Sequence, residues 1–237
     1  MENQKYGTLY LIPVPLGESV ETLPDYTLRT ASLLKVFIVE DIRSARRFLR
    51  AAGYTGDYSE IIFHVLNEHT LPEEIPGMLE QILNGIDTGL MSQAGAPCVA
   101  DPGALIVSSA HSLNINVKPM VGPSSVLLAL MASGFNGQNF MFHGYLPVKK
   151  NARIQKIREI EAESHRRDQT QIFIEAPYRN MQLLNDLLQT CKDNTRLCIA
   201  SDLTLTTEII KSQSVAEWKK SLPDLNKVPA VFLLYHG

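Results

Sequence analysis

The sequence predicts an α/β protein made of two α/β domains. Short runs rich in β-branched and aromatic residues recur along the chain, and helical patterns lie between most of them. The last runs follow one another without long helices between them. A length of 237 residues is long for one compact unit and short for two ordinary ones. We therefore expect an N-terminal domain over residues 1–118 and a C-terminal domain over residues 119–237.

The N-terminal domain has the rhythm of alternating strands and helices. In residues 40–52, Ile42, Ala45 and Leu49 fall on one helix face, and Gly53 follows where a helix would end. This alternation predicts a mostly parallel sheet, because a crossover helix joins parallel strands. The five predicted strands are 8–14, 36–40, 61–66, 88–92 and 115–121.

The C-terminal domain is predicted to hold a mixed sheet, because its last strands lack long connecting helices. The predicted strands are 139–146, 170–176, 195–201, 207–213 and 229–235. Helices are predicted at 123–133, 150–165 and 178–190. The first of these helices is apolar all round from Val126 to Ala132, which predicts that it is buried.

Composition excludes several classes of protein. A hydrophobic fraction of 45% with 20% charged residues describes a chain that can bury a core, not a disordered or low-complexity one. The net charge of -3 argues against a surface that binds nucleic acid over its whole extent, but it allows a local basic face. Cys98, Cys191 and Cys198 lack the spacing of a metal clip and are expected to be buried thiols in a reducing compartment.

The sequence predicts where in the cell the protein works and whether it holds a metal. The N-terminal apolar run is short and lacks a small-residue cleavage site, and no stretch approaches the roughly 18 apolar residues of a membrane span. We expect a cytoplasmic protein that does not contact a membrane. No metal site is expected, because the histidines show no ligand spacing among themselves or with a cysteine. These are His64, His69, His111, His143, His165 and His236.

Four segments of small residues and prolines lie at predicted strand ends, where open α/β sheets bind ligands. Glycine lets the backbone approach a ligand closely, and proline adds rigidity. Any one of these segments alone is better explained as a turn, but four together favour a binding site. Neither a G-x-G-x-x-G dinucleotide motif nor a P-loop occurs. The segments are 13–17 (PVPLG), 92–97 (SQAGAP), 100–103 (ADPG) and 122–125 (GPSS).

With these segments in order, the chain resembles the tetrapyrrole-methylase superfamily of S-adenosylmethionine-dependent methyltransferases. It is most similar to the branch that methylates a cytidine ribose 2′-hydroxyl in small-subunit ribosomal RNA. The resemblance implies two α/β domains with the methyl donor in the cleft between them, and a homodimer. It rests on LYLIPVPLG at 9–17, VEDIR at 39–43, LNEH at 66–69, MSQAGAPCVADPG at 91–103, VGPSSVLLALMASG at 121–134, HGYLP at 143–147, IFIEAPYR at 172–179 and DLTLTTE at 202–208.

The resemblance assigns S-adenosylmethionine to positions in all four loops. They are Pro15, Ser92, Gln93, Ala94, Gly95, Pro97, Asp101, Gly103, Gly122, Pro123, Ser124 and Ser125. Several polar positions depart from the family pattern, which usually has Asn at Glu18, Thr at Ile42, Asp at Gln93, His at Tyr178, Glu at Asp202, Lys at Leu205 and Gly-Glu at Val228-Pro229. The ribosomal branch also often continues into a further small region beyond the last matched segment. We expect retained donor binding, with an altered acceptor or reduced activity.

Candidate catalytic residues lie where the second strand meets the next helix. Glu40 or Asp41 could accept a proton while Arg43 holds a phosphate. An equally good interpretation is that both acids cap the helix and favour its positive end. Weaker candidates, each equally able to serve only as a hydrogen-bonding residue, are His69, Glu175, Arg179 and Glu208.

Two basic stripes bear on the acceptor. One comprises Arg43, Arg46, Arg47 and Arg50, and the other Lys149, Arg153 and Lys156. Their spacing places each set on one helix face, which by default is simply a solvated face. Four arginines without an intervening acid suit phosphate contacts, because arginine binds phosphate through two hydrogen bonds. RNA of the small ribosomal subunit is therefore favoured over a small tetrapyrrole, and a donor-binding module without catalysis remains a third hypothesis.

Overall fold

The structure is a computed structural model that describes residues 6–236. The chain divides into two compact units, of which the first ends at Ser124 and the second begins at Ser125. The boundary expected between residues 118 and 119 falls inside the strand Asn116–Pro119, which pairs with the first strand of the chain. The division therefore lies after the loop that follows this strand.

The first unit contains a parallel sheet of five strands, and each strand lies within a predicted segment. The strands are β1 (Thr8–Ile12), β2 (Val36–Val39), β3 (Ile62–Val65), β4 (Thr88–Met91) and β5 (Asn116–Pro119). Their order is β3-β2-β4-β1-β5, and all four pairings are parallel. The helices are α1 (Asp25–Leu33), α2 (Ile42–Ala51), α3 (Ile75–Leu83) and α4 (Ala104–Ser112).

Both faces of this sheet are covered by helices, which explains why its central strands are mostly apolar on both faces. Phe37 and Val39 of β2 belong to the core formed with α1 and α2, while Ile38 between them belongs to the core formed with α3 and α4. The alternation follows from the two-residue period of a strand. At Gly89 of β4, an added Cβ would lie 2.7 Å from Cδ1 of Phe37, so this glycine leaves room for the phenyl ring.

The second unit contains a mixed sheet, as the sequence predicts. Its strands are β6 (Phe140–Tyr145), β7 (Thr170–Ile174), β8 (Arg196–Ser201), β9 (Ile209–Ser214) and β10 (Ala230–Tyr235), in the order β6-β7-β10-β8-β9. Only the pairing of β6 with β7 is parallel, because the long helix α6 connects them. The helices are α5 (Ser125–Ser133), α6 (Lys150–Arg167), α7 (Asn180–Thr190) and α8 (Val215–Trp218).

The expectation that α5 is buried on all sides is wrong for the single chain. Val126, Ala129 and Leu130 are buried, and the helix packs against β8, β9 and β10. Met131, on the opposite face, is 79% exposed. The structure thus leaves one apolar side of this helix uncovered.

The second basic stripe is also a wrong prediction, because Arg153 is not at the surface. Its side chain is 1% exposed, and its Nη2 forms an ion pair at 2.6 Å with Oδ2 of Asp186 on α7. Nε donates to the same oxygen at 2.8 Å, and Nη1 donates to the carbonyl oxygen of Val148 at 2.7 Å. Arg153 therefore joins α6, α7 and the preceding loop, and it is unavailable to a phosphate.

Within residues 6–236, no helix is both long enough and apolar enough to cross a bilayer.

Replacing Arg153 with alanine should destabilise the second unit by about 3–5 kcal/mol, because the Asp186 carboxylate would remain buried without its cation. Trp218, the single tryptophan, is buried in this unit and reports its unfolding by fluorescence during a urea titration. Lys156→Ala on the same helix is the control, because the Lys156 side chain is 36% exposed, and it should change stability by less than about 0.5 kcal/mol. Equal losses in the two variants would contradict a structural role for the buried pair.

Candidate functional site

The loops after the five parallel strands of the first unit gather at one edge of the sheet. This is the edge at which α/β sheets bind ligands, because the carboxyl ends of parallel strands all lie there. Three of the proline- and glycine-rich segments follow β1, β4 and β5, and Glu40 follows β2 directly. The predicted site residues of this unit are therefore brought together by the parallel sheet.

The first and second loops are joined by backbone hydrogen bonds. Val14 and Gly95 form an antiparallel bridge in which each N–H donates to the other's carbonyl oxygen at 3.0 Å. Gly95 has φ +74°, and an added Cβ would lie 3.1 Å from Cδ2 of Leu16. The hydroxyl of Ser92 donates to the carbonyl oxygens of Ala94 and Gly95 and so closes the turn. The positive φ favours glycine at this position.

The fourth loop packs directly on the first. An added Cβ at Gly122 would lie 2.3 Å from Cγ of Pro13, closer than any side chain could tolerate. The hydroxyl of Thr27 on α1 donates to the carbonyl oxygen of Val121 at 2.8 Å and holds the fourth loop from the other side. Pro123 is buried, and Ser125 is the first residue of α5. The first, second and fourth loops thus form one connected surface.

The third loop is organised by the carboxylate of Asp101. It accepts from the backbone N–H of Cys98 at 2.9 Å and of Gly103 at 2.7 Å. Cys98 and Ala100 have φ of +67° and +62°, which is uncommon for residues with a side chain. An added Cβ at Gly103 would lie 2.9 Å from Oδ1 of Asp101. Burial raises the pKa of the Cys98 thiol to about 11, so this cysteine stays protonated at neutral pH.

Glu40 lies beside this third loop. Its pKa is raised, first by burial and then by the negative charge of Asp101, while a hydrogen bond from the backbone of Gln93 acts in the opposite direction. Burial also raises the pKa of Asp101. Glu40 and Asp101 line one hollow of about 600 Å³ together with Asn67 and Glu68. A half-buried carboxylate with a raised pKa is suited to accepting a proton near neutral pH.

Asp41 caps α2, as expected from the interpretation of the acids as helix caps. Its carboxylate accepts from the backbone N–H of Ser44 at 2.7 Å, and this bond is the main reason why its pKa is lowered. Arg43 is exposed in the first turn of the helix and lowers the pKa of Asp41 slightly. The capping function of Asp41 is shown, and the catalytic functions of Glu40, Asp41 and Arg43 stay predictions.

The first basic stripe is a surface feature, since all four of its arginines are exposed. Two of them lie against aromatic rings: Arg46 over Tyr58 and Phe63, and Arg50 over Tyr58. The side chain of Arg47 forms no ion pair or hydrogen bond with another residue in the described range 6–236. The stripe thus combines two guanidinium groups held on rings, Arg43 beside the Asp41 carboxylate, and Arg47, whose side chain can bind an anion.

A second hollow escaped the sequence-based prediction. It has a volume of about 140 Å³ and lies between the first loop, the second loop and α2. Phe48, Val20 and Ala51 contribute apolar surface, while Arg47 and Glu18 are polar lining residues. Only the 3.6-residue period of α2 could have indicated it, because Arg47, Phe48 and Ala51 lie on adjoining positions of the helix.

The weaker candidates fall in both units, His69 in the first and Glu175, Arg179 and Glu208 in the second. His69 is exposed, with Glu68 as its neighbour at 3.6 Å. Glu175 and Arg179 form a pair in the second unit, with Nε donating to Oε1 at 2.9 Å. Glu208 accepts from the backbone N–H of Thr204 and closes a turn. Within residues 6–236, no group of three or more His, Cys, Asp or Glu side chains is arranged to hold a metal ion.

Solved structures identify the fold. The methyltransferase CobJ matches with a TM-score of 0.64 at 14% identity, covering 98% of this chain and 95% of that one. The cobalt precorrin-4 methyltransferase CbiF matches with a TM-score of 0.58 at 12% identity, covering 96% and 94%. The two α/β units therefore have the fold of the tetrapyrrole methyltransferases. No protein-family model matches the chain.

Proteins related in sequence identify the family more narrowly than the fold does. The ribosomal RNA small subunit methyltransferase I of Vibrio cholerae is 32% identical over 235 residues, which cover 97% of this chain and 77% of that protein. Its counterpart in Xylella fastidiosa is 32% identical over 212 residues, covering 89% and 73%. The chain belongs to the ribosomal RNA small subunit methyltransferase I family, and the sequence-based recognition of a methyltransferase is confirmed.

Replacing Glu40 with glutamine should stabilise the first unit at neutral pH. A carboxyl whose pKa is raised on folding favours the folded state only while it is protonated, and this contribution is lost as the pH rises through the unfolded and then the folded pKa. The variant's gain should therefore be present at pH 7.5 and vanish near pH 4. Hydrogen exchange of the β2 and β4 amides measures it.

The control for this measurement is Glu68→Gln, because Glu68 lines the same hollow with its side chain 86% exposed. It should show no gain at either pH. A Glu40→Gln gain that does not depend on pH would contradict the electrostatic explanation.

Proposed function

We propose that this protein transfers a methyl group from S-adenosylmethionine to a ribose 2′-hydroxyl of small-subunit ribosomal RNA. The observation that carries the proposal is the connected surface of three loops at one sheet edge, which pack closely together through glycines whose added Cβ atoms would contact neighbouring loop atoms. The names of the relatives support small-subunit ribosomal RNA as the acceptor, and the resemblance of the motifs supports its ribose 2′-hydroxyl. A ribosomal substrate also implies that the protein works in the cytoplasm.

The residues at this edge fit such a donor. Gly103 and Gly122 lie where an added Cβ would be within 3 Å of neighbouring protein atoms, so these glycines let the loops that carry the assigned donor-binding residues pack closely. The half-buried carboxylate of Asp101 supplies negative charge opposite a cationic donor. We assign donor binding to Pro15, Ser92, Gln93, Ala94, Gly95, Pro97, Asp101, Gly103, Gly122, Pro123, Ser124 and Ser125. When bound, the donor supplies a methyl group on a sulfonium for an in-line displacement.

The protein's own contribution is to position the acceptor and to take up a proton. Glu40 is the favoured proton acceptor, because its pKa is shifted toward neutrality and its carboxylate lines an open hollow. Asp41 is the weaker choice, since its carboxylate is engaged in the helix cap. Arg43, one helical turn away from Arg47, is placed to hold a phosphate of the acceptor strand.

Phosphate contacts must come mainly from α2. The family's lysine is replaced by Leu205, which is 38% exposed in a turn closed by acidic side chains. Arg153 is buried in an ion pair, so the second stripe is reduced to its two lysines, Lys149 and Lys156. The four arginines of α2 remain, and they suit the negatively charged backbone of RNA better than the small carboxylate-bearing ring of a tetrapyrrole.

A homodimer is part of the same proposal. Met131 on α5 is 79% exposed although its helix carries no charged residue. An apolar helix face of this kind is typical of a surface covered by another protein chain. The resemblance to homodimeric enzymes supports a second copy as the covering chain.

A methyl-transfer assay tests the function. Labelled donor is incubated with the protein and either undermethylated small ribosomal subunits or a precorrin-like tetrapyrrole. We expect label in the ribosomal RNA, at ribose. Label in the tetrapyrrole would replace the proposed acceptor, and donor binding without transfer to either would support a non-catalytic module.

Gly122→Ala should weaken the binding of S-adenosylmethionine about tenfold, which is a loss of about 1.4 kcal/mol of binding free energy. The reason is that the new Cβ forces the first and fourth loops apart. Calorimetry with S-adenosylmethionine measures the affinity. Gly77→Ala on α3 is the matched control, since nothing lies within 4 Å of its added Cβ. Unchanged affinity in Gly122→Ala would contradict the assignment of the fourth loop to the donor.

Met131→Asp should convert the dimer into a monomer, because a carboxylate would be buried in the apolar interface. Sedimentation velocity reports the change. Leu222→Asp is the control, as Leu222 is a half-exposed apolar residue of the same unit outside α5. A wild-type protein that sediments as a monomer would overturn the homodimer.

A further inference from the structure

The hollow of about 140 Å³ beside α2 is lined by apolar, polar and charged residues. Val14, Val20 and Phe48 form an apolar floor, and Arg47 is a charged residue of the lining. Glu18 and Gln93 add groups that can hydrogen-bond. A ligand that fits this lining has a flat or apolar part, polar edges and a negative charge. A nucleotide has all three.

The charge of Arg47 is not used elsewhere in the described structure. Neighbouring Arg46 and Arg50 lie against the ring of Tyr58, and Arg50 also donates to the carbonyl oxygen of Tyr54 at 3.0 Å. Arg47 has no such partner among residues 6–236 and faces the hollow. An arginine with its hydrogen-bonding capacity free at the edge of a hollow is suited to a phosphate, which it can hold through two parallel bonds.

This hollow overlaps one edge of the surface assigned to the methyl donor. Pro15, Ser92 and Gln93 belong to both, but neither Gly103 nor Gly122 lines the hollow. A guanidinium group would also repel the sulfonium and ammonium charges of S-adenosylmethionine. The hollow and the donor loops therefore adjoin each other, as the sites for two reactants must.

The geometry points to a nucleotide subsite. The hollow binds one nucleotide of the RNA strand, with its base on the apolar floor and its phosphate on Arg47. This inference rests on the proposed function, and it makes Arg47 a positioning residue for the acceptor. Single-stranded RNA is the form that can place an unstacked base there.

Two variants test the subsite. Arg47→Gln removes the charge, and Ala51→Trp fills the hollow from an exposed position of α2. Arg29→Gln is the control, because Arg29 is an exposed arginine on α1 outside the hollow. Binding of a fluorescein-labelled single-stranded hexaribonucleotide is measured by anisotropy, S-adenosylmethionine binding by calorimetry, and kcat and KM with undermethylated small ribosomal subunits.

Both variants should weaken hexaribonucleotide binding and raise the KM for subunits about tenfold, with kcat and donor affinity within about twofold of wild type. Arg47→Gln should also lower the salt dependence of RNA binding by about one counterion. The control Arg29→Gln should match the wild-type protein in RNA affinity, KM and donor affinity. Weakened donor binding in either variant would assign the hollow to the donor and overturn the proposal, as would unchanged hexaribonucleotide binding in both.

The hexaribonucleotide separates this inference from the proposed function. If wild-type protein transfers no methyl group to subunits but still loses RNA affinity in both variants, the proposed reaction fails and the subsite stands. If transfer occurs and RNA affinity is insensitive to both variants, the subsite fails and the reaction stands.

Discussion

The close packing of the loop after β1 on the loop after β5 is the constraint on which the site depends. Pro13 occupies the space where any side chain at residue 122 would lie, so only glycine allows the two loops to meet. The Val14–Gly95 bridge then fixes the loop after β4 against the same surface. Because β1 is flanked by β4 and β5 in the sheet, three loops distant in sequence become neighbours.

Near these packed loops, the surroundings of each acidic side chain determine what it can do. Asp41 is engaged by the backbone of α2, Asp101 by the backbone of the third loop, and Glu40 is left half-buried beside a second negative charge. Three carboxylates that look alike in sequence therefore differ in pKa direction: lowered for Asp41, raised for Glu40 and Asp101. Only a group with a raised pKa and accessible oxygens is useful for proton uptake near neutral pH.

The basic residues show the same dependence on environment. The pattern Lys149, Arg153, Lys156 has the spacing of a surface stripe, and yet Arg153 is held inside by Asp186, which lies 33 residues further along the chain. Helical periodicity places residues on a face but does not say what covers that face. On α2 the covering is partial, and the four arginines remain at the surface, two of them fixed by aromatic rings from other elements.

By itself the sequence determined the two α/β units, all ten strands and the four loops, because hydrophobic period and glycine-proline punctuation are local properties. The resemblance of its motifs to known methyltransferases added the family, which the relatives confirm. The tertiary structure alone decided which glycines are sterically required, which acid caps α2, that α5 keeps an exposed face, and that a hollow lies beside Arg47. These depend on contacts between residues far apart in the chain, and no local pattern encodes such contacts.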